Sequence, residues 1–404
     1  MTKLAEQFDY IYHKVFPSVN NEDLLEFRIP ANVKNQLHLE NTVLHFNLEV
    51  PQIKNGLDVI PQNFLGPKQF SSLEIRINGD PVSRRSCSNE YLLAAYFQNL
   101  ADFNADYRST AGQSMGVFDN YNFDTSYLKR LTQSNVYETL TTPRLDISNE
   151  FNNYELMMPI DSSIFYSNNF LPSNTPLELS FERAKSTFSI IMGDDTTSSE
   201  LENLPSVLVL EDVYLLVPFT KHEKTIQMEK HVSRPIKIKY DDFVINRFNL
   251  SRGSKNVRVP NALYGPFPKK IFWGLQKLVS YTGSFEESST LFAQYKQTKA
   301  SIYIDGNMVS GYPVTMSSHG ITQPYQKFLE NTNKFLNCYA GKTLSPREFQ
   351  TNFIHSATLC PDNSGTITFD FDFQTPLTSD FVLITCSIFD RKIELDNTRN
   401  FKVK

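Results

Sequence analysis

Residues 74–83 (EIRINGDPVS) and residues 301–310 (SIYIDGNMVS) are two versions of one phrase, separated by an offset of 227 residues, from Ile77 to Ile304. Five positions are identical, and two more exchange Asn with Asp. In each copy, alternating isoleucines lead into Asn-Gly or Asp-Gly, a dipeptide that accepts positive φ in tight hairpin turns. A helical pattern rich in aromatic residues follows each copy. The repeat predicts two copies of one β-rich domain.

The length and composition of the chain agree with this prediction. A chain of 404 residues fits two domains of about 200 residues each. Aromatic residues make up 13% of it, with 32 Phe and 19 Tyr, and flat rings pack well on the pleated surface of a sheet. The net charge of −5 is small, which argues against a dedicated nucleic-acid binder.

The four cysteines are scattered and form no metal-ligand or disulfide-framework spacing. The sequence therefore predicts four buried thiols in a reducing compartment, at Cys87, Cys338, Cys360 and Cys386. No apolar segment has the length of a secretory signal core or a membrane span. These observations predict a soluble protein that is made in the cytosol.

Strand patterns dominate both halves. Residues 365–373 (GTITFDFDF) alternate most clearly, and residues 41–51 also keep one apolar face. One substantial helix is predicted in each half, over residues 89–106 with a single buried stripe and over residues 323–339. Residues 381–395 predict a final long strand or hairpin. Many short strands with one helix per half favour two antiparallel sandwiches over a βαβ architecture.

The polar stretch after Pro218 is the clearest change in composition, so the domain boundary is predicted there. The predicted organisation is an N-terminal arm (1–20), a first sandwich (21–218) and a second sandwich (219–404). Residues 107–153 form a long polar segment, and segments of this length in a domain usually serve function or assembly.

Three short motifs resemble catalytic sites but lack the required context. Residues 112–116 (GQSMG) match a nucleophile elbow, yet no strand-turn-helix surrounds Ser114. Residues 341–343 (GKT) end a predicted helix, so its N-terminal amides cannot hold a phosphate. Residues 190–195 (IIMGDD) resemble a polymerase metal site but precede no returning strand. We predict no catalytic residue, no metal site and no cofactor.

Two basic groups have two possible interpretations. They are Arg84-Arg85 and residues 251–255 (SRGSK) with Arg258. Solvated loops are the simpler interpretation, and contact with phosphate is the alternative. Neither group contains the interleaved aromatic residues that single-strand binders use.

The order of these elements resembles the major capsid proteins of Polinton/Maverick elements and adintovirus-like viruses, in the double jelly-roll lineage of adenovirus hexon. The segments that carry the resemblance in the first half are 37–44 (LHLENTVL), 61–64 (PQNF), 75–79 (IRING), Tyr91, 158–160 (MPI), 164–165 (IF) and 177–179 (LEL). In the second half they are 261–268 (NALYGPFP) and 393–400 (IELDNTRN).

The resemblance implies an all-β fold of two tandem antiparallel jelly-roll β-sandwiches with one helix inserted per roll. It also implies a virion protein that forms trimers of pseudo-sixfold outline, tiles an icosahedral shell and meets a minor or penton capsid protein. Under it, segments 107–153 and 187–203 are expected at subunit contacts or on the outer surface. The alternatives are a carbohydrate-active or carbohydrate-binding double sandwich, such as a glycoamidase, and a minor vertex protein.

Overall fold

The structure is a computed structural model that describes residues 10–32, 35–50, 59–84, 89–103, 107, 111–117, 148–149, 153–166, 170–192, 204–220, 236–316, 320–333, 344–361, 363–395 and 401–403. All statements below refer to these residues.

The described part of the first half contains fourteen strands. They are β1 (Tyr10–Val15), β2 (Val19–Asn20), β3 (Leu24–Ile29), β4 (Leu37–His38), β5 (Val43–Glu49), β6 (Val59–Pro61), β7 (Phe70–Ile77), β8 (Asp80–Arg84), β9 (Ser148–Asn149), β10 (Asn153–Pro159), β11 (Phe170–Leu171), β12 (Leu177–Arg183), β13 (Ile190–Met192) and β14 (Val209–Thr220).

Two main sheets of the first half face each other. Sheet I has the order β11-β4-β14-β5-β10-β9, with β1 paired to β14. Sheet II has the order β2-β3-β12-β7-β8, and β6 and β13 form a small separate pair. Residues 10–15, which the sequence assigns to an N-terminal arm, are thus a strand of sheet I. We call this pair of sheets the first roll.

The described second half contains ten strands. They are β15 (Ile236–Leu250), β16 (Asn256–Pro266), β17 (Lys270–Lys277), β18 (Gln297–Ile304), β19 (Asn307–Met308), β20 (Val314–Thr315), β21 (Ile354–Thr358), β22 (Ser364–Phe373), β23 (Phe381–Leu395) and β24 (Phe401–Val403). The final element predicted as a strand or hairpin is one strand, β23.

The second roll repeats the strand order of the first. Sheet III runs β15-β23-β17-β21, with β24 on β23, and matches β1-β14-β5-β10 of sheet I. Sheet IV runs β16-β22-β18-β19, with β20 on β18, and matches β3-β12-β7-β8 of sheet II. Eight strands in two antiparallel sheets, present twice in the same order, are a double jelly roll. The predicted fold class and internal duplication are confirmed.

The repeated phrase forms the hairpins β7-β8 and β18-β19. In the first, Asn78 and Gly79 have φ of +56° and +84°, and in the second Asp305 and Gly306 have φ of +48° and +81°. Two consecutive positive φ values define the type I′ turn that Asn-Gly and Asp-Gly favour. The Asp305 carboxylate also accepts hydrogen bonds from the backbone N (2.8 Å) and hydroxyl (3.1 Å) of Thr366 on β22.

The core of each roll is aromatic. In the first roll, the ring of Phe70 packs against those of Phe46 and Phe181, from opposite sheets. In the second roll, the fully buried Trp273 of sheet III packs on Phe369 of sheet IV. The ring of His355 stacks on Trp273, and burial lowers the pKa of His355 to about 3, so this side chain is neutral at physiological pH.

The four described α-helices are α1 (Glu90–Asp102), α2 (Leu278–Thr282), α3 (Thr322–Asn331) and α4 (Pro346–Thr351). The prediction of one buried stripe on the first helix is wrong, because residues 91–100 are buried on all sides of α1. The predicted helix over 323–339 ends at Asn331, just before Asn333, whose φ of +58° interrupts helical geometry. No described helix has the length and apolar character needed to cross a membrane.

Two of the four cysteines lie in the described residues. Cys386 on β23 is buried, as predicted, whereas Cys360 is exposed in the connection between β21 and β22. The prediction of a buried thiol is therefore wrong for Cys360, because that connection lies at the surface. Cys87 and Cys338 fall outside the described residues.

Replacement of Gly306 tests the turn of the repeated phrase. A Cβ atom at this position has no neighbour within 4 Å, so only the positive φ opposes a side chain. We expect Gly306→Ala to lower the free energy of unfolding by about 1 kcal/mol, and Gly306→Asn to lower it by less, since Asn tolerates this region. Urea unfolding checks both variants, and equal losses would contradict the turn argument.

Candidate functional site

Helix α1 lies between the two rolls and packs against both. Toward the first roll, the ring of Tyr91 contacts Phe70 and Phe181 edge to face. Toward the second roll, the ring of Tyr96 stacks on Phe292 with a centroid separation of 5.4 Å. A helix that is apolar all round must be covered all round. The sequence of α1 therefore requires the second roll as much as the first.

Hydrogen bonds reinforce the aromatic contacts of α1. The Asn89 amide, at the start of the helix, donates to the backbone O of Tyr281 in the second roll (2.9 Å). The Tyr96 hydroxyl donates to the Asn352 side-chain oxygen, and this pair is buried. Buried polar groups that are paired across an interface fix its geometry, because separating them leaves them unsatisfied.

A second polar contact between the rolls surrounds Lys68, which is fully buried. Its Nζ donates to Gln62 Oε1 (2.6 Å) and to Ser288 Oγ of the second roll (3.3 Å). The same Gln62 oxygen accepts from the backbone N of Ser289 (3.2 Å). Within the described residues, no carboxylate lies within ion-pair distance of Lys68. Burial consequently lowers the pKa of Lys68 well below its ordinary value.

The third contact is made by one end of the paired strands β15 and β23. The two strands pair along their whole length, whereas β17 pairs only with residues 381–388 of β23, so the far end of the pair extends beyond β17. The Tyr240 hydroxyl on β15 reaches the backbone O of Val82 on β8 (3.5 Å). A cleft of about 830 Å³ opens beside this contact, with walls from both rolls. Lys269, beside the cleft, contacts the carboxylates of Asp241 and Asp390, which line it.

Five of the eight large exposed apolar side chains among the described residues lie on the first roll. The described members are Ile11, Tyr12, Phe16, Met157, Val209, Tyr264, Val279 and Met308. Three of them lie on β1 or directly after it, and Phe16 is 68% exposed. On the same sheet, the Tyr214 ring stacks on the His45 ring with centroids 4.3 Å apart. The Lys14 ammonium lies 4.0 Å from the centroid of the Tyr214 ring. Mixed aromatic and charged patches of this kind are typical of protein–protein contacts.

Ser114 of the predicted elbow look-alike lies in a short 3-10 turn after α1. Its hydroxyl donates to the backbone O atoms of Ala111 (2.7 Å) and Met157 (2.9 Å). A nucleophilic serine instead donates to a basic side chain. The surroundings of Ser114 therefore give it a structural role as a link to β10.

The glycines of this motif also have structural roles. Gly116 has φ of +78°, and a Cβ atom there would lie 2.6 Å from the Leu65 Cβ. Its carbonyl accepts from the backbone N of Leu65 (3.2 Å). Close approach of two backbones explains why glycine stands at this position.

The other motifs that the sequence analysis singled out form no shared site within the described residues. Residues 341–343, the aspartates of residues 190–195 and Arg85 lie outside the described residues. In the second basic group, Arg258 forms an exposed ion pair with Asp370 (3.6 Å). Among the described residues, no cluster of three His, Cys, Asp or Glu side chains has metal-binding geometry. Most of segments 107–153 and 187–203, including 118–147 and 193–203, also lies outside, so their proposed surface roles stay predictions.

Comparison with known proteins places this fold in a defined class. No protein-family model and no curated protein sequence matches the chain. Solved structures do match: the chain adopts the double jelly-roll fold that viral capsid proteins share. At the identities found, this likeness establishes the fold.

Three of these structures match the whole chain. The capsid of the virus PBCV-1 matches with a TM-score of 0.60 and 12% identity, over 100% of this chain and 98% of the other. The structure of the Sputnik virophage matches with 0.61 and 12%, over 100% and 90%. The mavirus major capsid protein matches with 0.58 and 10%, over 100% and 92%.

Replacement of Lys68 tests the polar contact. In the unfolded chain, the Lys68 amine is protonated below a pH of about 10.4. In the folded chain, burial opposes this protonation. The free energy of unfolding is therefore undiminished by Lys68 above that pH. It falls by at most about 1.4 kcal/mol per pH unit as the pH decreases toward the lowered pKa of Lys68. We expect Lys68→Met to be as stable as the wild type or more stable at pH 7, with an advantage that shrinks toward pH 10.

Urea unfolding at pH 7, 8.5 and 10 measures this difference. The exposed Lys185 provides a matched control, since Lys185→Met removes a cation that carries no cost of burial. A Lys68→Met difference that does not change with pH would contradict the assignment of a buried, unpaired amine.

Ser114→Ala and Gly116→Ala separate the catalytic and structural interpretations of residues 112–116. We expect Ser114→Ala to leave ester hydrolysis and assembly unchanged, because the hydroxyl only bridges backbone carbonyls. Gly116→Ala should lower the free energy of unfolding by about 2 kcal/mol or more, owing to the contact with Leu65 and the positive φ. A hydrolase activity that disappears in Ser114→Ala would restore the catalytic interpretation.

Proposed function

We propose that this chain is a major capsid protein whose three copies form a pseudo-hexameric capsomer that tiles an icosahedral shell. The observation that carries the proposal is the duplicated strand order, with eight equivalent strands in each half. Three chains with two similar rolls each provide six similar wedges around one axis. The full-length likeness to three viral capsid structures supports the same function.

The junction between the rolls supports a structural role over an enzymatic one. Polar groups of the two rolls bond to each other across it, as in the contact of Gln62 with Ser289. Ser114 has only backbone acceptors. We therefore propose that the chain has no enzymatic activity and needs no cofactor.

The finer assignments rest on the sequence resemblance. We propose the Polinton/Maverick and adintovirus-like lineage, a place in the virion, and a minor or penton capsid protein as partner. The proposed units are an arm (1–20), a first roll (21–218) and a second roll (219–404), with β14 of the first roll continuing two residues past this boundary to Thr220. Within the arm, residues 10–15 extend sheet I of the first roll.

Light scattering and electron microscopy test the assembly. We expect purified protein to have the mass of three 46.4 kDa chains, and negatively stained particles to show six lobes around a threefold axis. The physical reason is that each chain exposes apolar side chains that a permanent interface would cover. A stable monomer at micromolar concentration would contradict the proposal.

A further inference from the structure

The cleft between the two rolls has the dimensions of a ligand site. Its volume is about 830 Å³, and its walls come from α1, from the short turn that follows β10, and from one end of the paired strands β15 and β23. Small-molecule sites in proteins have volumes of roughly 300 to 1,000 Å³. We call this cavity the inter-roll cleft.

Two buried polar side chains in the lining have no partner. Gln98 of α1 is 1% exposed, and neither its amide oxygen nor its amide nitrogen has a hydrogen-bond partner within the described part of the chain. The Ser163 hydroxyl is also buried and unpartnered among the described residues. Buried polar groups without partners destabilise a fold, so each of them needs an explanation outside the fold. A ligand with hydrogen-bonding groups would provide the missing partners.

Most charged side chains of the lining have a partner of opposite charge. The contacts are those of Asp241 and Asp390 with Lys269, of Arg391 with Asp242, of Lys392 with Glu394, and of Glu40 with the ring of His38. These pairs leave little charge in the lining for a ligand to neutralise.

Lys239 is the exception. Its side chain is exposed, and it forms no ion pair with any described residue. On the neighbouring strand, Lys392 stands directly opposite it. Like charges in opposite positions of a sheet repel each other, so an anionic group beside Lys239 would be attracted. A Lys ammonium is a common partner of phosphate in proteins.

Aromatic side chains complete the lining. They are Phe103, Tyr166 and Tyr240. Phe103 and Tyr166 are partly exposed, and their rings pack edge to face with centroids 5.4 Å apart. Every nucleic-acid base has a π face that can stack on such rings. The groups of the lining that are left to a ligand are therefore one cation, one amide, one hydroxyl and an aromatic surface.

We propose that the inter-roll cleft binds a nucleoside monophosphate, with its phosphate at Lys239, the edge of its base at Gln98 and the ring of its base against Phe103 and Tyr166. Adenine suits Gln98, because a Gln amide donates to and accepts from neighbouring atoms on the edge of that base. A neutral sugar would leave Lys239 without a partner. The net charge of −5 disfavours a long nucleic acid as the ligand.

This site adds a ligand to the structural role proposed above. A nucleotide in the cleft would contact residues of both rolls at once. Because it would bind the folded chain and not the unfolded chain, it would raise the melting temperature by mass action. We expect adenosine monophosphate to raise the melting temperature of the purified full-length chain in proportion to the logarithm of its concentration.

Replacement of Gln98 tests the base contact. Gln98→Met keeps the length of the side chain and removes the amide. We expect the ligand-free variant to melt at the wild-type temperature or above it, since an unpartnered buried amide is lost. The dissociation constant for adenosine monophosphate, measured by titration calorimetry, should rise at least about ten-fold. Asn99→Leu is the matched control, because the Asn99 amide is equally buried and unpartnered among the described residues but lies outside the lining.

Replacement of Lys239 tests the phosphate contact, and it also serves if Gln98→Met fails to fold. We expect Lys239→Met to raise the dissociation constant for adenosine monophosphate at least about five-fold. The same variant should bind adenosine, which has no phosphate, as the wild type does. Lys237→Met is the control, since Lys237 lies two residues away on the same strand and outside the lining.

The outcomes decide the proposal whether the chain is a trimer or a monomer, because the whole site lies within one chain. Binding that weakens in Gln98→Met and Lys239→Met, and in neither control, supports it. An oligoadenylate then identifies the source, since a site for a free nucleotide binds it more weakly than adenosine monophosphate. No binding at about 1 mM nucleotide, unchanged binding in both variants, or equal binding of inorganic phosphate or lactose overturns the proposal and leaves the capsomer standing.

Discussion

The two rolls are held as one body by a helix that has no solvent face. α1 places Tyr91 in the first core and Tyr96 against Phe292 of the second. Because each face of the helix is apolar, exposing either one to water would cost the free energy of burying several aromatic rings. The hydrogen bonds of Asn89 and Lys68 across the same boundary then select one relative orientation of the rolls.

The two rolls have the same topology, but the outer faces of their equivalent sheets are covered to different extents. In β17 of sheet III, residues 271–276 are buried on both faces, because the first roll and α3 cover its outer side. In the equivalent β5 of sheet I, the outward His45 is buried, Val43 and Asn47 are partly covered, and Glu49 is exposed.

Much of the fold could be predicted from short-range pattern. The type I′ turns followed from Asn78-Gly79 and Asp305-Gly306, since the dipeptide itself fixes the sign of φ, and the strand over 365–373 followed from its alternation. The two-sided burial of α1 could not be predicted, because a helix sequence does not show how many partners surround it. Its unbroken run of apolar residues between Tyr91 and Phe97 was the available signal. The burial of Lys68 could not be predicted from its neighbours in the sequence, since its partner Ser288 lies 220 residues away in the second roll.

The position of α1 in the chain sets the order of folding during synthesis. The first roll and its helix leave the ribosome well before Phe292 and Asn352 are translated, so the aromatic side of α1 that they cover meets water at that stage. Nascent domains fold from the N-terminus, and uncovered apolar surface is then open to aggregation and to chaperones. The second roll, which is made later, therefore covers the helix of the first. A translation product truncated before Phe292 would keep this apolar side of α1 exposed to water.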